Sequence, residues 1–336
     1  MNRWKNRRRC NNITGKSNKT REALAKMFLD SLSENRMPWS KTWDAQGIPF
    51  GQHHNEISRK PYTGVNAAIL WITAMKMGYD DARWCTYKQA KDKEWQVKKG
   101  SKGVPIEFWK MRDIKQNKLI DFREAEEIIR KDPNRKEDMI PSARVYTVFN
   151  AAQMDGIPEL PRLERKPIRF GNKQLKNLLK NYLYNAGVTF GYHPQNCFYR
   201  PSEDKIYLPK KEAFHSELDY YHTALHECAH STGHEKRLNR DIHNTFGTPE
   251  YVEEELRAEI SGAFVLSDCG LPLPVEITDN NKAYVQNWSQ RIQDDPNVLA
   301  RVIKAAHDIS DYIGEKGELT ILKQQSEKKP ELVPAL

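Results

Sequence analysis

The sequence predicts an α+β protein of two domains, and three observations predict it. The chain has 336 residues, about twice the roughly 150 residues of a common domain. Short strand-like segments are interspersed with amphipathic and buried helical patterns in both halves. Charge also divides the chain: residues 1–150 carry 31 Lys and Arg against 18 Asp and Glu, whereas residues 151–336 carry 23 against 27. A basic half joined to a mildly acidic half suggests that the first meets a polyanion and the second does not.

Composition excludes two classes. Hydrophobic residues make up 38% and charged residues 29%, which is polar for a globular chain, but 10% aromatics is too many for a disordered one. The longest apolar stretch, Ala67 to Met75, is far short of the roughly 20 residues of a membrane span. No membrane association is expected. The basic start lacks the apolar region of a secretory signal, and five scattered cysteines without a CxxC pair argue against a disulfide framework. A cytoplasmic location is therefore expected.

Along the chain, residues 1–20 are basic and poor in apolar side chains and are expected to be a flexible tail. Leu24, Met27, Phe28, Leu29 and Leu32 recur at helical spacing, predicting an amphipathic helix. A Trp-rich loop follows, then a buried helix over Asn66–Met77. WCTYKQA predicts a strand running into a helix capped by Thr86, and VKKGSKGVPIEFWKM a hairpin turning at Lys99–Gly103. Residues 112–140 are highly charged and predict a helical insertion, and 143–150 a closing strand. The first domain is thus placed at 21–152. Residues 153–168, with Pro158, Pro161 and Pro167, are expected to be a linker. The second domain is placed at 169–320 and a flexible tail at 321–336. Within the second domain a helix over Lys173–Ala186 leads to short strands around 187–192 and 196–200. A strand at Lys205–Leu208 then leads to long helices near 217–233 and 249–266, and a final helical pair over 281–313.

The sharpest motif is His226-Glu227-Cys228-Ala229-His230. Histidines at i and i+4 project from one helical face and can share a metal ion. Glu227 is placed to take a proton from a metal-activated water and pass it to a leaving amine. A site of this kind needs a third protein ligand. His234 falls two residues short of the third histidine in the pattern HExxHxxGxxH, where this chain has Lys236, so it is a poor candidate. His222 extends the stripe one turn earlier and is expected at the rim. Glu255 is the better third ligand, with Glu259 one turn on to fix a histidine tautomer and Glu254 as the fallback. This is the gluzincin arrangement, with HExxH on one helix and acidic residues on the next. Strand Lys205–Pro209 fits the edge along which zinc peptidases lay an extended substrate.

A long ordered series of segments resembles the ArdC antirestriction family, related to the N-terminal part of TraC-type plasmid primases. In the second half the resemblance rests on Tyr199-Arg200-Pro201, on Tyr220 to Glu227, on His230 to His234, and on Tyr251 to Glu259. In the first half it rests on Tyr62 to Asn66, Trp84 to Ala90, and Val97 to Gly103 followed by Phe108-Trp109. It spans about residue 20 to about 313. The resemblance implies an N-terminal single-stranded-DNA-binding domain followed by a zincin-like metallopeptidase domain, carried by a mobile element and associated with protecting entering DNA from restriction. It further implies His226, His230 and the Glu255 region as Zn2+ ligands and Glu227 as the acid/base. Residues 112–140 depart from the family pattern.

Independently of that resemblance, single-strand binding needs a basic groove with aromatic platforms for bases. The first half offers Lys60, Tyr62, Arg83, Trp84, Lys88, Lys98, Lys99 and Lys102 as candidate contacts, with Trp84 as the expected stacking ring, whereas Trp71 is expected in the core. Lysines meet phosphates rather than base edges, so little sequence specificity is expected. The expected function is non-specific single-stranded-DNA binding with a zinc-dependent peptidase site acting on an unknown protein substrate. A strand-coating protein with a structural or vestigial metal site, and a peptidase whose basic half meets an acidic protein, stay open as alternatives.

Overall fold

The computed structural model describes residues 15–38, 52–159, 172–242, 245, 247–271, 273 and 279–319. Most of the expected tails, Trp39 and Trp43 of the Trp-rich loop, and residues 160–168 of the expected linker lie outside these. The first helix, α1, runs Gly15–Ser33, so the last residues of the expected tail are helical. Helix α2 (Gly64–Met77) ends on Gly78, whose φ of 69° suits the left-handed cap that glycine adopts without strain.

Strand β1 (His54–Asn55), β2 (Arg83–Thr86), β4 (Val104–Asp113), β5 (Lys118–Ile120) and β6 (Met139–Asn150) form a five-stranded sheet in the order β1-β2-β6-β4-β5. Thr86 caps α3 (Tyr87–Asp92) with a reciprocal capping box to Gln89, as its position after the strand predicts. The expected hairpin at 97–111 does not form. Strand β3 (Gln96–Val97) pairs with β7 (Met154–Asp155), whereas β4 pairs with β6 along its whole length. The expected linker therefore begins as a strand. The insertion at 112–140 is only partly helical: it holds the end of β4, β5, α4 (Phe122–Lys131), a 3-10 turn and the start of β6.

The second half is α5 (Asn172–Ala186), β8 (Thr189–Tyr192), β9 (Phe198–Arg200), β10 (Lys205–Leu208), α6 (Glu217–Ser231), α7 (Pro249–Asp268), α8 (Asp279–Asp294) and α9 (Asn297–Lys316). The three strands are ordered β8-β10-β9. Strand β10 is thus paired on both sides, parallel to β8 and antiparallel to β9, and the expectation that it forms the sheet edge is corrected. The edges are β8 and β9.

The two halves share a wall. On α7, Leu256, Ile260 and Phe264 join one core with Leu24, Phe28, Trp71, Val298 and Val302. Ala258, Val265 and Leu266 of the same helix join a second core with Leu179, Tyr182, Ile206 and Leu225. Trp71 meets Phe264 edge to face at 5.6 Å, and Arg21 of α1 donates to Asn297 of α9 at 2.8 Å. Helix α7 is buried on most sides, its apolar residues facing the two cores and its buried Glu253, Glu254 and Glu259 facing cationic or imidazole partners. No described helix is long and apolar enough to cross a membrane.

Candidate metal centre and basic cleft

Helix α6 begins at Ser216, whose hydroxyl accepts the Asp219 amide, and it buries Leu225, Cys228 and Ala229 against α5 and the small sheet. This fixes the opposite face, with His226 and His230, toward α7. Their Nε2 atoms lie 3.1 Å apart. Glu255 reaches both from α7, at 3.6 Å to each Nε2. His226, His230 and Glu255 each offer a ligand atom within 4.8 Å of the others, the one such group among the described residues.

Second carboxylates hold the rings from behind. Glu259 lies 3.4 Å from His226 Nδ1 and 3.5 Å from His222 Nε2, and Glu254 lies 3.4 Å from His230 Nδ1. A ring whose Nδ1–H points at a carboxylate presents its Nε2 lone pair on the other side. With both rings in that tautomer, two lone pairs and a carboxylate would converge on one point. The donor set, two imidazoles and one carboxylate, fits a divalent ion of the zinc type.

Without an ion the surrounding carboxylates favour a proton on His226, which a bound cation would displace. Burial alone would lower the His226 pKa, but Glu255 and Glu259 hold it well above its ordinary value. Burial opposes ionisation of Glu254, yet His230 and Arg240 outweigh it and hold the carboxyl down at about 2. Glu255 is likewise pulled below the usual range by His226 and His230 against the cost of burial. Glu227 goes the other way: burial pushes its carboxyl up, tempered by the two histidines and by a backbone hydrogen bond from Tyr199 on β9.

The run Glu253-Glu254-Glu255 is not a solvated face; its members are divided among three tasks. Glu253 accepts from Arg257, Arg291 and Arg301 and so ties α7 to α8 and α9. Glu254 accepts from Arg240 and Arg257 and faces His230. Glu255 faces the two imidazoles of His226 and His230. His234 stays outside, 4.0 Å from Asp204, which is itself held by Arg237 and Tyr199.

Arg240 is the residue that sequence reasoning missed. It donates to Glu254 at 2.7 Å, to Thr232 at 2.6 Å and to the Ala229 carbonyl at 3.1 Å. It gets there because the chain folds back beneath the end of α6 at Gly233, where a Cβ would sit 2.3 Å from Ile242. The signal was a glycine two residues past a histidine helix, followed by an arginine, and it is too local to read without the fold. Tyr251, one turn before Glu255, was likewise given no role, though its hydroxyl lies in hydrogen-bonding range of Glu255.

In the first half, Trp84 and Arg83 leave the set of expected DNA contacts. Trp84 is 1% exposed and donates its indole N–H to His53 at 3.0 Å, so no ring face is open to a base. Arg83 is buried and held by Asp81 in a bidentate pair. Both belong to β2, which is covered on both faces; a tryptophan beside an arginine looks the same in sequence whether inside or out. Tyr62 is half-buried, its hydroxyl accepting from Asn55. Lys60, Lys88 and Lys102 are exposed. Lys98 and Lys99 line an open cleft with Tyr87, Phe149 and Ser101.

An HExxH helix crossed by a glutamate-bearing helix, beside a small sheet, defines the zincin-like metallopeptidase class of domain. Residues 177–308 match the family described as zincin-like metallopeptidase, and residues 18–149 match the N-terminal domain of anti-restriction factor ArdC. The chain belongs to the ArdC antirestriction family. It is similar to the metal-free crystal structure of antirestriction protein ArdC from plasmid R388, with 28% identity and a TM-score of 0.66, over 89% of this chain and 98% of that one. The Mn(II)-bound structure of that protein gives 28% identity and a TM-score of 0.64, over 88% and 97%. An uncharacterised protein, y4eC, of Sinorhizobium fredii is 31% identical over 84% of this chain and 85% of its own length. Two DNA primases TraC of Escherichia coli are each 36% identical over 87% of this chain, which spans only 20% and 27% of their length.

Proposed function

We propose that this protein is a cytoplasmic antirestriction factor of a mobile element that acts on DNA entering by conjugation. In this reading it binds single-stranded DNA non-specifically through its basic half and hydrolyses a protein substrate at a zinc centre. The observation that carries the peptidase part is the convergence of His226, His230 and Glu255 beside a buried Glu227 whose carboxyl is pushed up by burial. The ArdC-type domain and the cleft lined by Lys98, Lys99 and Tyr87 support the DNA part.

His226, His230 and Glu255 would hold the ion, with Glu259 and Glu254 orienting the two rings. A bound zinc ion supplies Lewis acidity to a water and to a peptide carbonyl. Glu227 takes the proton of the attacking water and delivers it to the departing amine, a task suited to a carboxyl that burial raises above its ordinary value. Strand β9, the sheet edge whose Tyr199 backbone bonds Glu227, is the edge nearest the chemistry, and an extended substrate would add to it by strand pairing.

Conjugal transfer into a restricting host tests the whole reading. Wild-type protein is expected to protect the entering DNA, and Glu227→Gln to protect less while retaining metal and strand binding. Full protection by Glu227→Gln would separate antirestriction from peptide hydrolysis and leave strand coating as the function.

A further inference from the structure

We infer that the outer end of the β4–β6 ladder is a base-stacking face for single-stranded DNA, distinct from the lysine cleft; this rests on the single-strand reading above. Apolar cover over this sheet stops part of the way along. Val104, Ile106 and Val148 are buried in the core beneath α1 and α2, but two residues further on Phe108 is 49% exposed and Tyr146 is 40% exposed.

Register puts both rings on one face. Phe108 stands opposite Arg144, Ile106 opposite Tyr146, and Lys110 opposite Ser142, and side chains two apart on a strand share a face. Phe108, Lys110, Arg144, Tyr146 and Leu119 line one shallow depression. The two rings meet edge to face at 6.3 Å and 80° and the Lys110 ammonium lies 5.9 Å over Phe108, yet both rings keep a large exposed area.

Charge identifies the occupant. The strand positions of this face supply three cations, Lys110, Arg112 and Arg144, and no carboxylate. Glu107 and Asp113, the acidic residues of β4, alternate to the opposite face and are buried. Lys110 is paired with Asp121 at 3.4 Å, and Arg112 donates to Asn117. Arg144 is exposed and has no ion-pair partner among the described residues. Open aromatic faces ringed by cations are what a polyanion with unpaired bases requires. A duplex keeps its bases stacked and offers this face phosphates alone.

The test uses the full chain and a fluorescent oligothymidylate of about 20 nucleotides, beside an abasic strand of equal length. Phe108→Ala and Tyr146→Ala are each expected to weaken oligothymidylate binding roughly five- to a hundred-fold, with Phe108→Trp restoring it. The abasic strand is expected to bind wild type weakly and the alanine variants no more weakly. Wild-type affinity in the double variant Phe108→Ala/Tyr146→Ala would overturn this face and leave the single-strand reading standing. No binding by wild type would overturn both. Photocrosslinking of a 5-iododeoxyuridine strand supplies a readout that does not rest on variants. Adducts within residues 104–113 or 139–150 are expected, and adducts confined to residues 87–102 would overturn the proposal.

Discussion

His226 and His230 stand one turn apart on a single helix, whereas Phe108 and Tyr146 lie far apart in the chain and meet only through strand register. The first pair is fixed by helical geometry, which the spacing of residues already contains. The second depends on which strands pair, and that is a property of the whole sheet. The candidate metal centre is also walled in: α7 carries Glu254, Glu255 and Glu259 while forming part of two cores. The proposed DNA surfaces are solvent-facing and need only charge and open rings. Chemistry demands a rigid, desolvated site, and binding a flexible strand demands accessible area.

The largest effect is expected at the proposed acid/base. Glu227→Gln is expected to lower peptide hydrolysis roughly 10²- to 10⁴-fold with metal content unchanged, as read by single-turnover cleavage and metal analysis. A parallel loss of metal would show that Glu227 acts by holding the site together. Next comes the shared wall. Trp71→Ala removes a fully buried ring packed on Phe264 and is expected to cost about 3–5 kcal/mol in denaturant unfolding. Because Phe264 lies on α7, hydrogen exchange in α7 should rise as well; unchanged protection there would mean that the halves are energetically separate.

How much of this was legible in the sequence follows the same division. The HExxH helix, the acidic helix after it, and most other helices are readable because their signals are local: periodicity, caps and ligand spacing. The hairpin expected at 97–111 failed because β3 is paired with a strand more than 50 residues later, and turn residues cannot reveal that. Strand β10 was misread as an edge because β9 and β8 flank it from earlier in the chain. Trp84 and Arg83 were misplaced because burial of a sheet strand depends on what covers both faces. The EEE run was readable as a source of a carboxylate facing the histidines but not as three separate contacts, since Arg240, Arg291 and Arg301 come from other elements.

Smaller effects sharpen the picture of the centre. Arg240→Gln removes the guanidinium that holds Glu254 behind His230, and metal affinity should fall roughly 10- to 100-fold by competition with a chelator. A change below two-fold would make Arg240 merely a brace for the loop. The smallest effect is in acid. The Glu254 carboxyl is held down at about 2 from an ordinary 4.5. A depressed carboxyl adds stability above its unfolded pKa and loses it as pH falls through the folded one. Urea midpoints should therefore drop between about pH 4.5 and 2, and this limb should flatten in Glu254→Gln.

The most direct test of the account is the metal stoichiometry of the purified full chain after dialysis against trace zinc, in wild type, Glu255→Ala and His234→Ala. One ion per chain is expected in wild type and His234→Ala, and its loss in Glu255→Ala. Retention in Glu255→Ala with loss in His234→Ala would contradict it.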